Sequence, residues 1–368
     1  MFGRNGIARY SRELLSAVMK NEAVTQHFVG TRNQIDELTQ WYGDVPKHAE
    51  LVLTHERALG APFRRLVRVW KARQIRELFD CDDVVHYLGP QKIFANHRKV
   101  VSTIHDLIPL YDEYAVDAGL RHRFPKMIAK QLHHSSAIVC PSSWVASTVR
   151  ERFPWFNGSI HVTPLAAGNQ FTPTPADRSV REKYRLTPSY LIFVGRIDVA
   201  RKNLDVILKA WLTLPKDIRS ETSFVVVTDN SHEAIKHFLN KHGITPDASL
   251  QFHTSVTTHE LVQMLSSARG MVFASQAEGF GLPIVEAMKC GCPVITSNTT
   301  SMPEVGGSAA TYVDPRNIDQ LRDAMIQLLL NDDMYTSMQA AGLHRSKEFS
   351  WSTTAELTIN AYMSCIKQ

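Results

Sequence analysis

Nine short apolar, β-branched runs, set apart by helical-period segments or polar turns, constrain this chain more than any other feature. They are "DVVHYL" (83–88), "KVVSTIHD" (99–106), "SAIVCPS" (136–142), "SIHVTPL" (159–165), "YLIFVG" (190–195), "SFVVVTD" (223–229), "SLQFHTS" (249–255), "GMVFAS" (270–275) and "PVITS" (293–297). Strands that alternate with helical segments build βαβ units, and the strands of the resulting parallel sheets are buried on both faces, so they read as continuous apolar runs. Between Leu165 and Arg181 the pattern gives way to "AAGNQFTPTPADRS", rich in Pro, Gly and polar residues, which is the expected linker. It divides the 368 residues nearly in half. The expected fold class is therefore α/β, two doubly wound domains, with ligands at the carboxyl ends of strands.

Composition excludes several alternatives. The chain is 44% hydrophobic and 21% charged, as expected of a globular protein in water. It has no apolar run of about 18 residues that would cross a membrane, and "MFGRNGIARYSRELL" lacks the apolar core of a secretory signal. The five cysteines (Cys81, Cys140, Cys290, Cys292, Cys365) are scattered and odd in number, which suits a reducing cytoplasm. Cys290 and Cys292 form a C-x-C pair with no second pair to complete a metal site, so small buried residues are the expected role. No D-x-D motif lies at a strand end: "DDVV" (82–85) precedes a strand, and Asp332–Asp333 is expected in a helix-linked loop. No metal requirement is expected.

Charge is unevenly spread. Residues 1–175 carry 22 Lys+Arg and 16 Asp+Glu, a net of +6, which leaves 19 and 20, a net of −1, for residues 176–368. Much of the excess lies in "RALGAPFRRLVRVWKARQIREL", where Phe63, Leu66, Val67 and Trp70 fall at helical spacing among Arg57, Arg64, Arg65, Arg68, Lys71, Arg73 and Arg76. This is expected to be a basic amphipathic helix. Its charged face is either simply solvated or turned to an anionic membrane surface or a phosphate-bearing acceptor. No aromatic-interleaved or helix-turn-helix signal accompanies the charge, so nucleic acid is not an expected partner.

The stretch "FASQAEGFGLPIVEAMKCGCPVITS" (273–297) places Glu278 and Glu286 eight residues apart around a Gly-Phe-Gly-Leu-Pro turn. Pro283 fits the first turn of a helix that Gly291 would stop. Amides of Gly281 and Leu282 at that helix start, with the helix dipole, favour an anion such as a phosphate. Two carboxylates beside an anion site make sense if they accept hydrogen bonds from neutral hydroxyls on either side of a diphosphate. A nucleotide sugar has that arrangement.

"SQAEGFGLPIVEAMKCGCPVITSNTTSMPEV" resembles the E-x7-E region of retaining GT-B glycosyltransferases of the family-4 kind, and the similarity runs through "NGIARYSRELL", "VSTIHDLIPL", "LIFVGRIDVARKNLDVILKAW" and "FSWSTTAELTINAY". The resemblance implies two Rossmann-like domains facing across a cleft. Residues 1–170 would be the acceptor side, 171–350 would bind the nucleotide sugar, and 351–368 would be a helix crossing back. It implies that Glu286 holds the donor ribose, Glu278 the transferred sugar, and amides of Phe280, Gly281 and Leu282 the sugar and diphosphate. Arg196 and Lys202 would form the cationic pair on the leaving diphosphate, with the adjacent Arg201 a competitor, and one residue more than the family pattern stands between Gly195 and Lys202. Backbone at Val256 would meet the base. Gly6 would approach the diphosphate, with Ala8 where many relatives have a second glycine and Arg9 as an acceptor or phosphate contact. His105, alone, would most simply be a structural histidine; the resemblance places it at the sugar, with Asp106 orienting its loop. The glycine loop of such domains follows a first strand. Here either the start lies upstream or the domain is built without that strand.

The function so implied is retaining, metal-independent transfer of a hexose to a saccharide or lipid-diphosphate-linked acceptor in bacterial surface-polysaccharide synthesis, at the cytoplasmic membrane face. The donor expected first is GDP-mannose, ahead of UDP-glucose, UDP-N-acetylglucosamine and dTDP-rhamnose. No separate cofactor is expected. Rival classes are a non-catalytic GT-B partner-binding protein, a sugar-nucleotide epimerase, and a dinucleotide-dependent oxidoreductase. The last lacks its G-x-G-x-x-G between strand and helix.

Overall fold

All nine apolar runs form strands, and every sheet pairing among the described residues is parallel. The structure, a computed structural model, describes residues 6–20, 26–31, 49–54, 84–89, 99–111 and 118–366. The chain divides into an N-terminal unit (residues 1–110, 118–165 and 351–368) and a C-terminal unit (111–117 and 166–350). The division at Leu165 falls at the head of the Pro- and Gly-rich stretch.

In the N-terminal unit, β1 (Gln26–Thr31) pairs with β2 (Ala49–Thr54). A separate four-stranded sheet runs β3 (Val85–Tyr87), β4 (Val100–Thr103), β5 (Ala137–Cys140) and β6 (Ser159–Val162) in that order. β4 and β5 are buried at every position, as continuous apolar strands require. The helix Trp351–Ile366 belongs to this unit and packs on β4, β5, β6 and the helix Gly6–Val18.

The C-terminal unit holds six strands: β7 (Ser189–Val194), β8 (Thr222–Thr228), β9 (Leu250–Thr254), β10 (Gly270–Phe273), β11 (Val294–Ser297) and β12 (Ala310–Val313). Their order across the sheet is β12-β11-β10-β7-β8-β9. The chain therefore winds outward from β7 to β9, returns to β10 on the other side of β7, and winds away again. Ligands of doubly wound folds bind at such a switch point, which here lies between the carboxyl ends of β7 and β10. The core beneath it is dense: Leu191, Phe193, Phe224, Val226, Val272 and Trp211 are all shielded from solvent, and the Trp211 indole N–H donates to Ser249 Oγ at 3.0 Å.

β1, β2 and β12 were not among the expected strands. "QHFVGT" and "AELVLT" carry polar residues or glycine, and β12 is a short edge strand whose first three residues are half-exposed, so none reads as a buried run. Asp332 and Asp333 do not lie in a loop as expected. They open the helix Asp332–Ser346, where Asp332 pairs with Arg269 at 2.7 Å. The basic segment Arg57–Leu78 and the positions ahead of Gly6 lie outside the described residues, so the expectations placed on them stand as sequence readings. Among the described residues no helix is long and apolar enough to cross a membrane.

Candidate active site

After β7 the chain passes Gly195, makes a 3-10 turn over Ala200–Lys202, and enters the helix Leu204–Leu212 through Asn203. Asn203 is fully buried and left-handed, with φ of 62°. Asparagine is among the few side chains that tolerate that region. Its amide donates to Ala274 O at 3.0 Å and Pro315 O at 2.6 Å, and its Oδ1 accepts from Gln276 Nε2 at 3.1 Å. Gln276 N–H donates to Arg201 O at 2.8 Å, and Arg201 Nη1 to Ala277 O at 2.9 Å. Asn203 thus ties the loop after β7 to the loop after β10. Sequence reasoning missed it, because its side chain caps no helix amide and bonds instead to residues distant in the chain. Asn203→Ala leaves two buried carbonyls and an amide without partners at a strained φ. Stability should fall by on the order of 3 kcal/mol, read from urea melts. A loss below about 1 kcal/mol would contradict this account.

The loop after β10 carries Glu278 and is held by hydroxyls at the end of β11 and just beyond it. Glu278 N–H donates to Thr300 Oγ1 at 3.1 Å, and Ser301 Oγ donates to Glu278 O and Phe280 O, each at 2.9 Å. Thr299 Oγ1 donates to Gln276 O at 2.9 Å and Ser297 Oγ to Ser275 O at 2.5 Å. The Glu278 side chain is buried, and its Oε1 lies 2.9 Å from Arg201 Nη1 and 2.7 Å from Lys202 Nζ. Burial alone would raise this carboxyl, but Lys202 and Arg201 outweigh it and hold the pKa down to about 2. Lys202 Nζ also lies 4.7 Å from the centroid of the Phe273 ring. The cluster of two cations and one carboxylate carries a net positive charge at the switch point.

Gly281, with φ of 105°, precedes the helix Leu282–Lys289, with Pro283 in its first turn. A side chain at that φ would be strained, and an added Cβ would come within 3.2 Å of Ile284 Cδ1. The Phe280 ring packs edge-on against Phe349, 5.7 Å between centroids. Glu286 lies in the same helix and is buried, 4% exposed. Val256, half-buried, follows Ser255 (φ 57°) in the turn between β9 and the helix Thr258–Ser267.

Of the expected residues, the structure brings Lys202, Arg201 and Glu278 together. It does not bring Arg196: that guanidinium turns to Asp198, with Nε 2.9 Å from Oδ1, on an exposed part of the same loop. Arg201 and Lys202 are thus the cations that meet Glu278, while Arg196 pairs with Asp198. Asp198, two residues away, satisfies Arg196 locally, and the 3-10 turn delivers two successive cations to the carboxylate.

His105 and Gly6 belong to the N-terminal unit. His105 lies just past β4, and its Nε2 donates to Leu88 O at 2.8 Å. A carbonyl only accepts, so Nε2 holds the proton and Nδ1 of the neutral ring is an acceptor. Burial lowers the His105 pKa, opposed by the Leu88 bond and by Asp106. Asp106 Oδ1 accepts from Ile108 N–H at 3.1 Å, which orders the loop. Gly6 is the first residue of the helix Gly6–Val18, and Arg9 in the same helix is half-buried.

Two family profiles match this chain: "Glycosyltransferase Family 4" over residues 4–166 and "Glycosyl transferases group 1" over residues 177–345. The chain is 31% identical to the O-antigen chain mannosyltransferase B of Escherichia coli, over 97% of this chain and 95% of that one. It is 26% identical to a GDP-mannose-dependent alpha-(1-6)-phosphatidylinositol monomannoside mannosyltransferase of Mycobacterium tuberculosis, over 58% of this chain and 59% of that one. Among solved structures, sucrose-phosphate synthase of Thermosynechococcus elongatus superposes with a TM-score of 0.72 at 18% identity, over 98% of this chain and 93% of that one. That likeness shows the GT-B fold.

Proposed function

The chain belongs to the family-4 glycosyltransferases, and on that premise we propose that it moves mannose from GDP-mannose to a saccharide or lipid-diphosphate-linked acceptor, with retention and without a divalent metal. The observation that carries this reading is Glu278 held between Arg201 and Lys202 at the switch point. Both cations contact Oε1, which leaves Oε2 with capacity to accept from a sugar hydroxyl. The net positive charge of the cluster attracts a diphosphate, and because Asn203 and the hydroxyls after β11 fix both loops, the charges need no reorganisation as the leaving group departs. In the transfer, the bond from the anomeric carbon to the diphosphate oxygen breaks and a bond to the acceptor oxygen forms, with the acceptor proton passing to the departing diphosphate. Glu286 would hold the ribose, amides of Phe280, Gly281 and Leu282 the diphosphate, and Nδ1 of His105 would accept from the transferred sugar.

Mannose is favoured because both sequence relatives described above are mannosyltransferases, one named for GDP-mannose. The basic balance of residues 1–175 supports an acceptor at an anionic membrane surface at the cytoplasmic face. A thermal-shift panel with GDP, UDP, dTDP and ADP tests the donor. At about 100 times its dissociation constant a nucleotide stabilises by about 2.7 kcal/mol, and GDP is expected to give the largest shift. A larger shift with UDP or dTDP would replace mannose by the corresponding donor, and no shift with any of the four would sink the donor-site reading.

A further inference from the structure

The mechanism above uses His105 but not the polar side chains beneath it. The Tyr10 ring, 1% exposed, meets the His105 ring in a T-shaped contact, with centroids 4.8 Å apart and planes at 86°. Its hydroxyl is 3.0 Å from Thr103 Oγ1. Thr103, 2% exposed, stands at the end of β4 and is also 2.8 Å from His86 Nε2. The other nitrogen of His86, Nδ1, is 2.8 Å from the hydroxyl of Tyr362 on the helix Trp351–Ile366. β3 therefore serves His105 twice: the His86 side chain holds Thr103, and the carbonyl of Leu88, just past the strand, takes the His105 proton-bearing nitrogen. We propose that Thr103, His86 and Tyr362 are positioning residues, a hydrogen-bonded relay that fixes the plane of the His105 ring by way of Tyr10 and so keeps Nε2 aimed at the Leu88 carbonyl, which selects the tautomer. The proposal rests on the reading of His105 as a sugar-contacting group for its functional meaning, but its geometry stands without it.

The chemistry of each member suits the task. Burial and the neighbouring His105 keep His86 neutral, with a pKa lowered to about 3, so one ring nitrogen donates while the other accepts. A neutral imidazole of this kind joins two hydroxyls without placing a charge in the core. Thr103 is the hub, because the Tyr10 hydroxyl and His86 Nε2 meet at its single oxygen. Without that oxygen no bond of this network fixes the Tyr10 ring at its hydroxyl end, and the ring contact that buttresses His105 loosens. Tyr362 carries the relay to the last helix, which other bonds tie to the same sheet: Ser364 Oγ lies 3.1 Å from Ser159 Oγ and Thr354 Oγ1 donates to Pro164 O at 2.6 Å.

Imidazole 15N spectra of the full chain test this without needing turnover, with the His105 signals identified by their loss in His105→Gln. In the native chain these signals should show a neutral ring protonated at Nε2. Thr103→Val keeps the shape and removes the oxygen, and its His105 nitrogen signals should move toward each other as the two tautomers mix. Thr103→Ser should restore the native pattern. Tyr362→Phe should shift the signals in the same direction by less, and it decides the matter if Thr103→Val does not fold. Unchanged His105 signals in whichever of these variants folds, or a Thr103→Ser spectrum as altered as that of Thr103→Val, would overturn the relay. In turnover of GDP-mannose, Thr103→Val should lower kcat about tenfold with KM within about twofold, the mark of lost positioning rather than lost binding. Native protein that shows the expected spectra but does not turn over GDP-mannose would refute the donor reading and leave the relay standing.

Discussion

Glu278→Gln should lower kcat/KM for the donor by at least about 10²- to 10³-fold, the range seen when one preorganised electrostatic group is removed from a transition state. The substitution keeps the size of the side chain and the loop that carries it, since the Thr300 and Ser301 bonds go to the Glu278 backbone. What it removes is the charge between Arg201 and Lys202 and the strongest acceptor for a sugar hydroxyl. A variant that turned over at near the native rate would remove Glu278 from the reaction. The same substitution has a signature in stability. The folded carboxyl titrates near 2 against an ordinary value of 4.5. A depressed carboxyl contributes stability that is present above its unfolded pKa and is lost as pH falls toward the folded one. The difference corresponds to about 3 kcal/mol at neutral pH, an order-of-magnitude figure, since one pKa unit is 1.36 kcal/mol. Urea midpoints at pH 7 should therefore place Glu278→Gln below the native chain, and the gap should narrow from about pH 4.5 downward. A gap that stays constant between pH 7 and pH 3 would mean that the ion pairs are not its source.

The strands were legible because a strand buried on both faces is written as an unbroken apolar run, as in "YLIFVG" and "GMVFAS". β12 was not, because an edge strand needs no such run. The carboxylates were legible for the opposite reason: Glu278 and Glu286 interrupt apolar surroundings where a core has no use for charge, and both are buried. Which arginine joins Lys202 on Glu278 was left open by the sequence, with Arg201 a competitor to Arg196. Arg196 and Arg201 stand in one loop, and the choice between them is made by Asp198 and by a turn whose geometry no local pattern announces. The switch point was beyond reach as well, because strand order is a property of the folded sheet. The Ser and Thr residues after β11 look like an ordinary polar turn in "TSNTTSM", and only the bonds to the Glu278 loop show what they hold.

The choice between the two arginines sets the second large effect. Lys202→Ala should lower kcat by about 10²- to 10³-fold, because Lys202 is a fixed cation at the switch point where, in the proposed transfer, a diphosphate leaving group would gather charge. Arg201→Ala should come next, at roughly tenfold or more, since a fixed neighbouring cation is lost while Lys202 remains. Arg196→Ala should cost least, about threefold or below, because its partner is Asp198 on an exposed surface and such pairs contribute little. GDP affinity measured on the same three variants separates binding from chemistry: a cation that acts in the transition state lowers kcat more than it weakens GDP. The order is the test. If Arg196→Ala lost as much as Lys202→Ala, donor binding would have to break the Arg196–Asp198 pair and draw that guanidinium onto the diphosphate. The weakness of an exposed pair would allow such a move, so the ranking of the two arginines decides whether the cationic site is complete before the donor arrives or is assembled by it.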